Sequence, residues 1–559
     1  MRTTHSVAAE VTELENEADA TAFTHELSGN RYEVSREGGQ LIHREIMQGL
    51  QGQQRLATEA AIALSVGSGT HGKSYLFRDG EFWAQSPLTW FRETANWGMS
   101  PGYDRPFHLS FRRKVRTGCV FCHVGSIDQK EGNPFCFEIV EATIGCERCH
   151  GPGELHVDKH HANPSGVGHS QTDDDTIVNP AKLSRELSEA VCQQCHLQAL
   201  TKASVSGKGE WDYRPGLPLT DFRVDYQYRL GDDTMKIVGH VEQMHASECY
   251  QQTETMTCVT CHNPHDPPPA GADAAVIREH YRSICLDCHQ DDACGEAHDR
   301  RMEVAQNDCA QCHMPKAKTN VPHTAFRQHR IGVYSKRASE TQRKVVDGLS
   351  PVLKLNQLSE QERKRVTSMA KAMAYRADPA NPKFATYGVE ATGELLQLKQ
   401  AGVNDPELNA ILAWLARDQG QREIAQLLCK EVLIHESRPK NSRIEAISLL
   451  AQDAFERRDA SEAVRYFREL TGFQRDAYDS YYLGLAENNS GNVDAAIKAL
   501  VRSLEIDPSQ EAAHVALQAI YQAKGDLVKS QYHAEQAIAN RQSTAQKQSR
   551  LKKRNQAQD

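Results

Sequence analysis

Residues 477–509 read AYDSYYLGLAENNSGNVDAAIKALVRSLEIDPS, and this stretch decides the fold of the C-terminal part of the chain. Apolar and small residues recur in it at three- and four-residue steps, the spacing of one helix face. Gly491 interrupts the pattern and Pro508 ends it, so two helices joined by a tight turn are predicted. The marks are Leu483-Gly484, Gly491, Ala496, Leu500 and Pro508. Leu517, Tyr521, Gly525, Ser530 and Ala537 repeat them about 34 residues later. An earlier copy sets Ala463 and Phe467 where Ala496 and Leu500 stand, and a looser one uses Gly420, Ala425 and Cys429. One helical pair cannot bury its own face, so stacking into a solenoid follows.

The period resembles that of the tetratricopeptide repeat. Upstream, VTSMAKAMAYRA, ATGELLQLKQA, AILAWLARD and REIAQLLCKEVLI keep the helical spacing. A helical connector is therefore predicted over 336–400, a solenoid over 401–542 and a basic, disordered tail over 543–559. Residues 1–30 are polar, acidic and weakly helical in pattern. From about 31 to 115 the text is mostly β: NRYEVSREGGQLIHRE alternates around Gly38-Gly39, and SYLFRDGEFWAQSP around Asp79-Gly80. Both are hairpin signals, because glycine relieves the strain of positive φ in a tight turn. Residues 116–335 hold neither period for long and are rich in Gly, Pro, His and Cys.

At 559 residues the chain exceeds a single hydrophobic core. A net charge of −9 and a pI near 6.3 exclude the basic face that a nucleic-acid binder needs. No window reaches 18 consecutive apolar residues, so no transmembrane segment is predicted. Of sixteen cysteines, fifteen fall between Cys119 and Cys312. A domain short of apolar core and dense in cysteine is held together by something other than burial.

That something is legible in six C-x-x-C-H segments. Their cysteines are Cys119 and Cys122, Cys146 and Cys149, Cys192 and Cys195, Cys258 and Cys261, Cys285 and Cys288, and Cys309 and Cys312. Their histidines are His123, His150, His196, His262, His289 and His313. The pattern is the attachment site of c-type haem. Two thiols three residues apart on one turn reach the two vinyl groups of the porphyrin, and the next residue is directed under the ring as proximal iron ligand. Zinc ribbons also use paired C-x-x-C units, but they need no histidine after each pair. Six agreements by chance would have odds of roughly one in 10⁸. A thioredoxin-like motif would occur once, after a strand.

Low-spin haems take a sixth ligand, most often a second histidine. With 25 histidines and six proximal ones, 25 − 6 = 19 remain. His156 in CERCHGPGELH and His265 in CVTCHNPH lie just past a motif, too near to fold over their own ring, so a neighbouring haem is their target. His108 before the first motif, His323 after the last, His71 and His5 complete a predicted set of six, with His240, His245 and His329 in reserve. Four cysteines stand outside the motifs. A disulfide between two of Cys136, Cys249 and Cys294 is open to an extracytoplasmic chain, and Cys429 reads as a buried helix residue.

With CERCHGPGELH, IVNPAKL, AVCQQCHLQ, RPGLPL, VEQMHASECY, CVTCHNPHDP and CHMPK in sequence, the chain resembles environmental bacterial multihaem cytochromes with tetratricopeptide C-termini. These are related to the tetrahaem carrier and hydroxylamine oxidoreductase class. The resemblance implies a periplasmic location, bis-histidine haems in stacked or perpendicular pairs, and electron transfer. Members often begin with a signal peptide and one more haem motif. MRTTHSVAAEVTELENEADA has no cationic stretch followed by an apolar one, although haem attachment is completed outside the cytoplasm. The expectation is a mature, trimmed or mis-started N-terminus, with a seventh haem upstream as the partner of His5 if the start is truncated.

The fold class expected is therefore mainly α. A small N-terminal β-hairpin region (1–115) packs on a haem-packed domain of short helices and loops (116–335), and a tetratricopeptide-like α-solenoid follows. Six motifs spaced 24 to 66 residues apart point to a relay for single electrons, closed to substrate by bis-histidine ligation. The alternative is an oxidoreductase acting on a small nitrogen or sulfur compound at one open haem. No C-x-x-C-K variant is present to supply a lysine-ligated site. The solenoid is expected to dock a redox protein partner. Lys547 to Arg554 reads as a solvated basic end.

Overall fold

The computed structural model describes residues 6–7, 21–49, 52–67, 71–162, 174–228, 239–266, 272–318, 325–334, 348–435 and 440–556. The chain is mainly α-helical, with an antiparallel sheet near its N-terminus and a run of helices at its C-terminus. Contacts divide the described residues into two units: those of 143–401, and those of 5–142 together with 402–559. The cuts fall at 142 and 401 where the sequence suggested 115, 335 and 400. The first C-x-x-C-H motif thus shares a unit with the sheet, and the helices of 360–400 share one with the other five motifs.

The sheet is larger than the small hairpin region expected. Its strands are β1 (Ser6–Val7), β2 (Thr21–Thr24), β3 (Arg31–Glu37), β4 (Gln40–Gln48), β5 (Gln54–Val66), β6 (Gly72–Asp79), β7 (Phe82–Phe91) and β8 (Asn96–Met99). β2 to β8 form an antiparallel meander in sequence order, and β1 pairs with β5. Both predicted hairpins are present. Glu37 pairs with Gln40 across Gly38 and Gly39, whose φ values are 58° and 85°, and Asp79 pairs with Phe82 around Gly80 at 63°. β2 lies where the sequence looked weakly helical. β5, QRLATEAAIALSV, is alanine-rich and a poor strand former on propensity, yet it is paired on both sides and buries alternate residues toward its C-terminal end. Tertiary pairing overrides local preference there. Tyr32, Leu41, Tyr75, Phe77, Leu88, Trp97 and Phe111 form the core under the sheet.

In the same unit four helical hairpins follow one another. They are Pro406–Asp418 with Arg422–Ile434, Lys440–Glu456 with Ala460–Phe473, Ala477–Asn489 with Val493–Ile506, and Glu511–Ala523 with Leu527–Gln556. Asp405, Asp459 and Asp476 cap three of the eight helices, each side chain accepting from a backbone N–H of its first turn. The Leu483-Gly484 mark has a steric cause: a Cβ on Gly484 would lie 2.6 Å from Leu500 Cγ and 3.1 Å from the Ala496 carbonyl oxygen. The final helix runs to Gln556, so the predicted disordered tail from 543 is helical. Residues 527–556 contain no glycine or proline and are rich in Ala, Gln, Lys and Arg, all strong helix formers.

Each hairpin turns on one residue of positive φ: Gly420 at 76°, Arg458 at 61°, Gly491 at 81° and Gly525 at 76°. The second repeat therefore places an exposed arginine where the other three use glycine. A left-handed residue with a Cβ costs roughly 1–2 kcal/mol, offset in part by the entropy glycine loses on folding. Arg458→Gly is expected to stabilise the solenoid by about 0.5–1 kcal/mol, read as a higher urea midpoint. An unchanged or lower midpoint would count against the turn argument.

The sheet docks on the edge of the solenoid. Asp79 accepts from Arg475 at 2.5 Å and Arg502 at 2.8 Å, and Arg475 also donates to the Phe111 carbonyl at 2.9 Å. Arg112 pairs with Asp507, Lys114 with Asp476, and Arg55 donates to Asn540.

The other unit, 143–401, has a small core of Ala190, Leu197, Tyr213, Leu219, Phe222 and Val241. A three-stranded sheet of Thr201–Ser204, Arg223–Tyr228 and Leu349–Pro351 lies in this unit, as does the helix pair Glu360–Ala377 and Pro382–Gln400. Between 246 and 330 the chain forms short helices, and among the described residues Ala305 is the one buried apolar side chain. The 13-residue helix Ala274–Leu286 buries none of its residues.

Candidate functional site

Each C-x-x-C-H motif lies on or at the end of a short helix, and the geometry follows from that. One helical turn sets both thiols on one side. In three motifs the histidine N–H closes the turn onto the first cysteine: His150 to the Cys146 carbonyl (2.9 Å), His262 to Cys258 (3.1 Å) and His289 to Cys285 (2.9 Å). All sixteen cysteines lie among the described residues, and none of them is in a disulfide. Cys429 is buried, as expected, and burial pushes its thiol up to about 12.

Within unit 143–401 successive motifs touch. Gln194, in the third motif, donates to the Arg148 carbonyl in the second at 3.0 Å. The Cys192 and Cys258 thiols hydrogen-bond each other, linking the third and fourth motifs, and Cys285 and Cys309 link the fifth and sixth in the same way.

Three of the C-x-x-C-H histidines each face a second imidazole. The ring centres of His150 and His265 stand 5.7 Å apart at 12°, those of His196 and His240 5.7 Å at 71°, and those of His262 and His329 6.1 Å at 29°. Two imidazoles bound to one metal at about 2 Å each have ring centres roughly 6 Å apart. His240 and His329 are themselves in contact, with centres 4.4 Å apart. Burial, with smaller contributions from neighbouring imidazoles, pushes His240 down to about 3 and His329 down to about 4. Both rings are therefore neutral and keep a lone pair, as metal ligands must. His240 Nδ1 is buried with no hydrogen-bond partner. His150 Nδ1 donates to the Val178 carbonyl at 2.7 Å, and His313 Nδ1 to that of Gly332 at 3.0 Å. These bonds fix the tautomer and leave Nε2 for a metal.

The other predicted sixth ligands fall differently. His265, just past the fourth motif, lies against His150 of the second. His240 and His329, held in reserve, take the places opposite His196 and His262. His108 is corrected: its Nε2 donates to the Tyr32 hydroxyl at 3.1 Å and its Nδ1 accepts from the Ser110 N–H at 3.1 Å, so neither nitrogen is left for iron. It is a buried histidine of the sheet core, pushed down to about 3 chiefly by desolvation. His71 is exposed at the start of β6. His156 is turned to Asp174, and His245 to Glu189 at 2.8 Å. His5 and His323 lie outside the described residues.

Paired thiols, neutral imidazoles at metal-sharing distance and a span with almost no core of its own all fit a covalently held iron porphyrin. Fold and site thus define a chain in which an antiparallel sheet and helical repeats form one unit and five C-x-x-C-H motifs crowd the other. No family model and no curated protein matches this chain. Among solved structures, "MamA 41-end from Desulfovibrio magneticus RS-1" is 21% identical over 31% of this chain and 96% of that one, with a TM-score of 0.27. "Crystal structure of MamA" is 18% identical over 34% and 98%, also at 0.27, and "MamA MSR-1 C2" is 19% identical over 33% and 98%, at 0.28. At such scores the helical-repeat architecture stands on the helices described above.

Proposed function

We propose that this chain is an extracytoplasmic multihaem c-type cytochrome that passes single electrons and docks a redox protein through its helical repeats. The observation that carries the reading is the set of three imidazole pairs, each joining a C-x-x-C-H histidine to a histidine from elsewhere in the chain. Bound haem would supply an iron that changes oxidation state by one electron. The chain's own residues do the rest. Twelve thiols would anchor the rings, and His123, His150, His196, His262, His289 and His313 would bind from the proximal side. His265, His240 and His329 would close the opposite side against substrate, which favours a carrier over an oxidoreductase. Contact between His240 and His329 would bring two of the sites together. The helical repeats supply a surface for a protein partner, as stacked helical hairpins commonly do.

The test is the intact mass and paramagnetic resonance of the full chain made in a host competent to attach haem. Six haem increments and a low-spin spectrum are expected. His240→Ala should convert one haem to a high-spin signal while the covalent haem count stays at six. A mass equal to the bare polypeptide ends the proposal.

A further inference from the structure

Helix Glu154–Ala162 carries two histidines one turn apart, His156 and His160, and both point at a single carboxylate oxygen. His156 Nδ1 lies 2.7 Å and His160 Nε2 3.2 Å from Asp174 Oδ2, and the three ligand atoms all fall within 4.8 Å of one another. The other oxygen of Asp174 is already taken: Oδ1 accepts from Lys159 Nζ at 2.9 Å, from the Thr176 hydroxyl at 2.5 Å and from the Thr176 N–H at 3.1 Å. That outer layer fixes the carboxylate and leaves Oδ2 facing the two imidazoles, which is how a ligating carboxylate is oriented. Four bonds of about 2.0–2.1 Å around tetrahedral zinc place neighbouring ligand atoms roughly 3.3 Å apart, close to the separations here. Two imidazoles and a carboxylate suit a borderline divalent ion, with water in the fourth position.

We infer that His156, His160 and Asp174 form a binding site for one divalent transition-metal ion of the zinc type, separate from the C-x-x-C-H motifs. His156, one of the histidines expected to ligate haem, then serves this site. The site pins the helix to the chain at Asp174. It is independent of whether haem is attached. Lys159 sets its strength, because an ammonium on the same carboxylate opposes a dication.

The full chain as purified, with free thiols alkylated so that cysteine pairs take up no metal, is stripped on a chelating resin and titrated with zinc sulfate. Zinc and iron are counted together by mass spectrometry. One zinc per chain is expected. His160→Gln and Asp174→Asn should each weaken binding about ten-fold or more with iron content unchanged. Lys159→Met should tighten it. No retained zinc, or zinc bound equally by the variants and the parent, overturns the site. A His156→Gln chain that loses a low-spin haem signal also overturns it, by assigning that ring to iron. An iron-free chain that still shows the zinc pattern would sink the cytochrome proposal and leave this one standing.

Discussion

Made in cells that cannot attach haem, the chain is expected to keep its sheet and helical repeats and to lose the order of the described residues between 246 and 330. The reason is the distribution of burial. Ala305 is the one buried apolar side chain described across that span, whereas the sheet has a dense aromatic core and the repeats bury leucine and alanine in every hairpin. Helix Ala274–Leu286 has 13 residues and buries none of them. An isolated helix shorter than about 12–15 residues is marginal in water, and a segment that buries little apolar area does not offset its conformational entropy. Hydrogen exchange on haem-free and haem-loaded chains reads the difference. Amides of 274–286 should be protected only in the loaded chain, and those of 406–523 in both. Equal protection of 274–286 in both preparations would show that the polypeptide holds this span by itself and would remove the physical motive for a cofactor there.

Asp79→Ala is expected to destabilise the docking of sheet on solenoid by about 3–5 kcal/mol, the range for removing one partner of a buried ion pair. Arg475 is 4% exposed, and Asp79 receives both it and Arg502. Burial pulls the Asp79 carboxyl up, but Arg475 and then Arg502 outweigh it and hold it below the usual carboxylate range. Without the carboxylate, a buried guanidinium keeps its bond to the Phe111 carbonyl and its place over the Phe77 ring, beside a second cation. Arg502→Ala should cost less, about 1 kcal/mol or below, because that side chain is partly exposed. Asp79→Ala combined with Arg475→Met should recover most of the loss. The sign with pH follows from the depressed carboxyl. The contribution of Asp79 is fully present above its unfolded value near 4 and is lost as pH falls through the lower folded value. Urea unfolding followed by tryptophan fluorescence checks this, since Trp83, Trp90 and Trp97, three of the five tryptophans, lie on the sheet. A loss under about 1 kcal/mol for Asp79→Ala would mean that other contacts hold the docking.

Much of this architecture was legible in the residues because it is written in short-range chemistry. REIAQLLCKEVLI is helical over 422–434, its full length, and Gly38-Gly39 and Gly80 turn the hairpins where positive φ requires them. The C-x-x-C-H spacing places thiols and imidazole on one turn without reference to anything distant. What was not legible depends on partners far along the chain. β5 is a strand because two neighbours pair with it, and its alanines carry no signal of that. His108 has the composition of a ligand and the surroundings of a core residue, a distinction set by Tyr32 and Ser110. His240 and His329 ranked behind it because nothing local to either announces that they meet across 89 residues, a separation read from their numbers. A histidine that opens a helix such as HVEQMH beside a cysteine-rich stretch was the one available hint.

The docking of sheet on solenoid joins residues 360 positions apart at Lys114 and Gln474, and 485 apart at Arg55 and Asn540. Residues 143–401 are thereby an insertion inside a unit assembled from both ends of the chain. Contacts of such long sequence separation form late, since the intervening chain must first be gathered in. During synthesis the strands emerge hundreds of residues before their helical partners exist. A chain cut short ahead of the last three hairpins would leave Asp79 without Arg475 and Arg502 and Arg112 without Asp507, and quality-control proteases would meet an unfinished sheet rather than a smaller working protein.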